Sequence, residues 1–161
     1  MRARRLAVGL ALAAALVSPA AAAASEKAIW GPVTLPNGNS AFPTYQRLGV
    51  DTVQFTMNWR SIAPQRPADP GNPADPAYQW SQEVDSAVAQ AGPAGIDVAL
   101  LVTGSPGWAN GGQSALHAPD PSDYATFMAA ASRRYPSVRR WMIWVSPTGV
   151  IAFSPTRPAA P

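Results

Sequence analysis

The sequence predicts an α/β fold built on a parallel sheet, and three features predict it. Four strand-like segments alternate with helix-like ones, which is the pattern of βαβ units. Asp97 to Thr103 (DVALLVT) is an almost unbroken apolar run, the kind found in strands covered on both faces. Two long loops, Arg60 to Gln79 and Gly104 to Pro119, each follow a strand. In parallel α/β folds that is the end of the sheet where sites are built.

The elements follow in order. Residues 1–24 read as a secretory signal peptide, not as fold. Three arginines lie within Met1 to Arg5, Leu6 to Val17 is apolar but short for a membrane span, and Ala22 and Ala24 suit a signal-peptidase site. No cysteine follows the apolar run, so a lipoprotein anchor is excluded. The expected product after cleavage near Ala24 is secreted and keeps no membrane segment.

Ala28 to Val33 (AIWGPV) is the first strand candidate. Ala41 to Leu48 is a short helix that Gly49 closes from the C′ position. Thr52 to Trp59 (TVQFTMNW) alternates, with Val53, Phe55, Met57 and Trp59 on one face. The loop from Arg60 to Gln79 is rich in proline; it is expected to carry little regular structure and to leave Asp69 and Asp75 solvated. Ser81 caps a helix to Ala91 whose stripe is Val84, Ala87, Val88 and Ala91. After the DVALLVT strand, Asp120 caps a helix with Pro121 in its first turn. There Asp123 meets the positive end of the dipole, and Tyr124, Phe127, Met128, Ala131 and Tyr135 recur at helical spacing. Arg140 to Trp144 (RWMIW) is the fourth strand.

Composition removes several functions. The chain has 12 basic and 9 acidic side chains. Arg2, Arg4 and Arg5 leave with the leader, so the mature charge is zero and no basic patch for nucleic acid survives. Arg133, Arg134, Arg139 and Arg140 cluster at a helix C-terminus, where cations suit the dipole. With no cysteine and His117 as the one histidine, neither a disulfide framework nor a usual zinc site can be assembled. No metal ion or cofactor is implied.

Two loop motifs carry chemical interest. In SPGWANGG, Trp108 and Asn110 pair a flat indole with an amide above the sheet. An indole stacks on the C–H face of a sugar and an amide bonds its hydroxyls; alternatively Trp108 caps the core under its loop. Trp59 and Arg60 close the second strand, and Arg60 either holds a ligand's carboxylate or hydroxyl or pairs with Asp69 or Asp75. Ser105, His117 and Asp120 or Asp123 supply the residue types of a serine hydrolase. However, the nucleophile elbow requires G-x-S-x-G, and Pro106 follows Ser105 directly. A GxGxxG phosphate loop after the first strand is absent.

Three stretches, taken in order, carry a resemblance: NWR running into SIAPQRP, then VTGSPGWANGG, then DYATFMAAASRRYPSVRRWMIW. Together they resemble a secreted clan of retaining glycoside hydrolases that includes cellulases, mannanases and β-xylosidases. The similarity runs from about Ile29 to Trp144. It implies a (β/α)8 (TIM) barrel of which residues 25–144 are the N-terminal half, about four βα units, with Trp59, Arg60, Trp108, Asn110 and Trp144 toward a carbohydrate. In that clan the tryptophan closing the fourth strand is followed by Gly-Glu-Pro-Asn or Asn-Glu-Pro, whose glutamate is the acid/base. A second glutamate, ending the seventh strand, is the nucleophile.

This chain reads Val145-Ser146-Pro147-Thr148 instead. A gene reading TGG GGT GAG CCC AAC C encodes Trp-Gly-Glu-Pro-Asn; loss of one G turns it into TGG GTG AGC CCA ACC, or Trp-Val-Ser-Pro-Thr. Codon degeneracy permits this without requiring it. Residues 145–161 are therefore expected to be an out-of-frame tail. The chain as read ends before both catalytic glutamates. It is expected to lack hydrolase activity and, with open sheet edges and an uncovered inner face, to aggregate or pair with a second copy. A non-catalytic carbohydrate-binding protein using Trp59, Trp108 and Asn110 is the alternative.

Overall fold

The computed structural model describes residues 25–143; the leader, Trp144 and the tail 145–161 lie outside these. Four strands form one parallel sheet: β1 (Ala28–Trp30), β2 (Thr52–Asn58), β3 (Asp97–Thr103) and β4 (Arg140–Ile143). Between them run α1 (Phe42–Arg47), α2 (Trp59–Ile62), α3 (Gln82–Ala94) and α4 (Pro121–Arg134). Spatial order follows chain order, β1-β2-β3-β4.

Register decides which residues share a face. Val53 pairs with Val98, Phe55 with Leu100 and Met57 with Val102. These side chains pack with Phe42 and Tyr45 of α1, Val84, Ala87 and Ala91 of α3, and Phe127, Ala130 and Ala131 of α4. The helices thus cover one face. On the other, Trp30 pairs with Gln54, Thr56 with Leu101, and Leu101 with Met142. That face is bare among the described residues, with Trp30 72% and Met142 40% exposed. The apolar run of β3 predicts cover on both faces; among the described residues Val98, Leu100 and Val102 of the helix face are buried, and so is Ala99 of the other. Leu101 and Thr103 are only half-buried.

Local chemistry sets the helix ends. After α1 the Gly49 N–H donates to Gln46 O and the Val50 N–H to Tyr45 O, which satisfies two end carbonyls. Ser81 caps α3 by accepting from the Val84 N–H. That helix runs to Ala94, past the expected stop at Ala91, because Pro93 falls in the last turn and removes only one donor. Asp120 caps α4, accepting from the N–H groups of Ser122 and Asp123.

Two boundaries move. The first strand ends at Trp30 rather than Val33, since Pro32 has no N–H for a ladder. Trp59 belongs to a one-turn helix and not to the strand before it. Asn58 makes that switch, its side chain accepting from the Ser61 N–H as an N-cap.

The proline-rich loop is ordered by its own aromatics. Pro70 and Pro73 have carbonyls but no donors, and these accept from Tyr78 Oη and Trp80 Nε1 at 2.5 and 2.8 Å. Both rings then pack against Phe127. Burial, then the charges of Asp75 and Asp69, push the Tyr78 hydroxyl up to about 12. Asp75 is not solvated as expected but buried. Its carboxylate accepts the N–H groups of Asp69 and Ala77, which hold its pKa below the usual carboxylate range.

A depressed folded pKa stabilises the fold above the unfolded value of about 3.9, and that contribution is lost as pH falls through the still lower folded value. Asp120 and Glu26 are depressed as well, first by the hydroxyls of Ser122 and Thr52 respectively. Urea midpoints are therefore expected to fall as pH drops from about 4 toward 2. Asp75→Asn should be less stable at neutral pH and show a shallower acid limb. An unchanged acid limb would remove Asp75 from this account.

Candidate functional site

The C-terminal ends of β2 and β3 carry the two long loops, and the loops are clasped together. Trp108, in a short 3-10 turn over Gly107–Ala109, donates its Nε1–H to Ala63 O at 2.9 Å. The Arg66 guanidinium lies 4.7 Å from the Trp108 ring centre and pairs with Asp123 of α4 at 2.6 Å. This arrangement puts a cation on one face of the indole and a core ring against its edge. Trp59 meets Trp108 edge to face at 5.5 Å. Of the two roles open to Trp108, a sugar platform or a cap on the core, these contacts make it the cap.

Trp59 points inward. It is 1% exposed, stacks on Phe127 at 4.9 Å and meets Tyr124 at 5.8 Å. Its ring therefore offers no open face to a sugar, which corrects its expected place at a binding surface. The reason is the switch at Asn58: once the chain turns helical, Trp59 stays on the buried face of β2 while Arg60 turns outward. Arg60 is exposed, and its backbone N–H donates to Gly104 O at 2.7 Å. Among the described residues the ion pairs are Arg66–Asp123, Arg134–Asp85 and Arg140–Glu26, so Arg60 pairs with neither Asp69 nor Asp75.

Asn110 also points inward and is 7% exposed. Its Nδ2 donates to Ser105 Oγ at 2.8 Å, Ser114 O at 2.8 Å and Gln113 O at 3.3 Å, stitching the glycine-rich loop to itself. Ser105 Oγ in turn donates to the backbone carbonyl of His117, not to its ring. No serine–histidine relay exists in this geometry. The buried Nε1 of Trp59, Oδ1 of Asn110 and Oη of Tyr124 have no partner among the described residues. Trp144 lies outside the described residues.

Polar groups do reach the bare face at this end of the sheet. Asn58 and Thr103 are register partners there, Thr56 lies one pleat below, and the Arg60 backbone N–H is tied to Gly104 O just beyond β3. Sequence reasoning passed over Asn58, Thr56 and Thr103 because it sought aromatic and ionisable groups. The signal was present in TVQFTMN, whose polar residues alternate against the apolar ones. Gly104 fixes this rim. Its φ of +70° is one that L side chains rarely adopt, and a Cβ built on it would lie 2.7 Å from Asn58 Oδ1.

The described chain is thus a singly wound, parallel α/β sheet with helices on one face and a polar rim at the C-terminal end of the other. Among solved structures it is similar in fold to a family 39 glycoside hydrolase from the gut symbiont Bacteroides cellulosilyticus WH2. The TM-score is 0.56 at 12% identity, and the match covers 76% of this chain and 24% of that one. The chain thus spans about a quarter of the length of that structure. No family model matches the sequence, and no curated protein does.

Proposed function

We propose that residues 25–144 are the N-terminal half of a secreted, (β/α)8-barrel glycoside hydrolase of the retaining kind. Residues 1–24 are its export signal and residues 145–161 an out-of-frame tail. One observation carries the reading. Strand order equals chain order and the helices stand on one face. A sheet wound in one direction with helices on one face supports the reading as a sector of a barrel, since a doubly wound sheet reverses its order and carries helices on both faces. The structural likeness to a glycoside hydrolase supports the same fold.

Retaining hydrolysis uses two carboxylates about 5–5.5 Å apart, one as nucleophile and one as acid and then base. The described chain offers no such pair at the polar rim. Glu26, Asp51 and Asp97 lie at the strand starts, the end of the sheet opposite the rim. Asp75 holds the proline-rich loop, Asp120 caps α4, Asp123 is paired with Arg66, and Asp85 with Arg134. In this reading the chain supplies the floor and one wall of a sugar-binding groove through Asn58, Arg60 and Thr103, and both glutamates belong to the region beyond Trp144. The binding-protein alternative rests on Trp59, Trp108 and Asn110, two of which are buried and the third capped by Arg66.

Genomic sequencing across Trp144 tests the proposal. The expected result is one further G, a restored Gly-Glu-Pro-Asn, and an open frame with four more strands and a second glutamate. The restored product should hydrolyse O-glycosyl bonds of a polysaccharide or glycoside, and the 161-residue chain should release no reducing sugar from the same substrate. A run identical to the present reading, followed by a stop after Pro161, would overturn the frame argument.

A further inference from the structure

α2 is a single turn, Trp59–Ile62, and one turn is too short to hold itself. Its own ladder bond runs from the Ala63 N–H to Trp59 O at 2.8 Å. The rest of its backbone is held by neighbours. Asn58 Oδ1 accepts from the Ser61 N–H at 3.2 Å. Gly104 O accepts from the Arg60 N–H at 2.7 Å, and Ile62 O accepts from the Gln79 N–H at 2.7 Å. At the far end, Trp108 Nε1–H donates to Ala63 O at 2.9 Å. The loop after β3 therefore grips the turn at both ends, through Gly104 at Arg60 and through Trp108 at Ala63.

We propose that Arg66 sets this grip, which makes Arg66 and Trp108 positioning residues for the turn that carries Arg60 and is capped by Asn58. The indole N–H reaches Ala63 O only while the ring keeps its place. Trp59 meets that ring edge to face at 5.5 Å, and the Arg66 guanidinium lies 4.7 Å from its centre. The guanidinium is fixed in turn by Asp123, in the first turn of α4, at 2.6 Å. A path of contacts thus runs from α4 through Arg66 and Trp108 to the end of α2. The Arg66 side chain is 53% exposed and that of Asp123 15%, so solvent reaches the cation and salt weakens the pair. When Arg66 lets go, Trp108 loosens, Ala63 O loses its donor and the turn frays. The value of this device to a sugar site rests on the reading of the rim proposed above; the hold on α2 does not.

Amide hydrogen exchange on the full chain, read residue by residue, tests this without any sugar. Trp108→Phe keeps a ring under Arg66 and removes the donor. It should speed exchange at the Arg60 and Ala63 amides about fivefold or more and leave Leu100 and Val102 of β3 unchanged, because the opening is local. Arg66→Met keeps an apolar stem over the indole and removes the cation. It should speed the same two amides about twofold or more, and Arg66→Lys should return part of the protection. Salt at about 1 M should move the parent toward Arg66→Met and leave that variant where it is; this arm needs no substitution and stands even if a variant fails to fold. Unchanged exchange at Arg60 and Ala63 in Trp108→Phe overturns the proposal, since Asn58 and Gly104 would then suffice. An equal rise in β3 overturns it too, because the residues would then serve the whole fold. Arg66→Lys exchanging as fast as Arg66→Met overturns the part given to the charge. A chain that passes these tests yet binds no carbohydrate would count against the function proposed for the rim and leave the positioning intact.

Discussion

Trp59→Ala is expected to cost about 3–5 kcal/mol of stability, the range for removing a large aromatic from a packed core. Trp59 is the largest fully buried side chain and the meeting point of Phe127, Trp108 and Tyr124. Truncation would leave three rings facing a cavity. A loss of that size is a large share of the roughly 5–15 kcal/mol by which domains are stable. Trp59→Phe should cost much less, because the stack on Phe127 survives and the lost Nε1–H had no partner to abandon. Urea unfolding of the two variants checks both values. If Trp59→Ala changed stability by under about 1 kcal/mol while weakening binding of a soluble oligosaccharide, the ring would belong to a binding surface after all.

Much of the fold was legible because its signals are local. The DVALLVT strand has the bounds read from sequence, and α4 begins at the expected Asp120 cap. The stripes of α3 and α4 face the core as their spacing requires. What escaped were decisions made at a distance. Asp75 reads as one more loop acid until Asp69 and Ala77 turn their N–H groups to it. Trp108 and Asn110 read equally as ligands or as fasteners, and only contacts across the chain separate these. The Trp108 contacts join Ala63 and Arg66 of one loop to Trp108 of the other, a separation no periodicity spans. Conversely, the polar rim was readable and was missed, because Asn58, Thr56 and Thr103 are ordinary residues made notable by the face they share.

That rim also shows why aromatic residues beside a sheet are weak pointers to a sugar site. An indole must leave one face open to stack on a pyranose. Trp59 has its face on Phe127, and Trp108 has Arg66 on its ring. Trp30, on the bare inner face near the foot, is the exposed indole of the described chain. It stands at the β1 edge, where closure of the sheet would bury it.

Gly104→Ala is expected to destabilise the fold by about 2–4 kcal/mol through two separable causes. The first is conformational: φ is +70°, where a Cβ meets the neighbouring carbonyl at a cost of about 1–2 kcal/mol. The second is contact, for the new methyl would sit 2.7 Å from Asn58 Oδ1 and 3.1 Å from its Cγ. Gly95→Ala isolates the first cause, since Gly95 has φ +67° and nothing within 4 Å of its would-be Cβ. It should cost only about 1–2 kcal/mol. Asn58→Ala removes the second cause, so Gly104→Ala should be cheaper in that background by about 1 kcal/mol or more. Because Asn58 both caps α2 and presents its amide at the rim, a displaced Asn58 alters the rim along with the stability. Equal costs at Gly104 and Gly95, or no coupling to Asn58, would mean that the amide yields freely and that Gly104 sets only the turn.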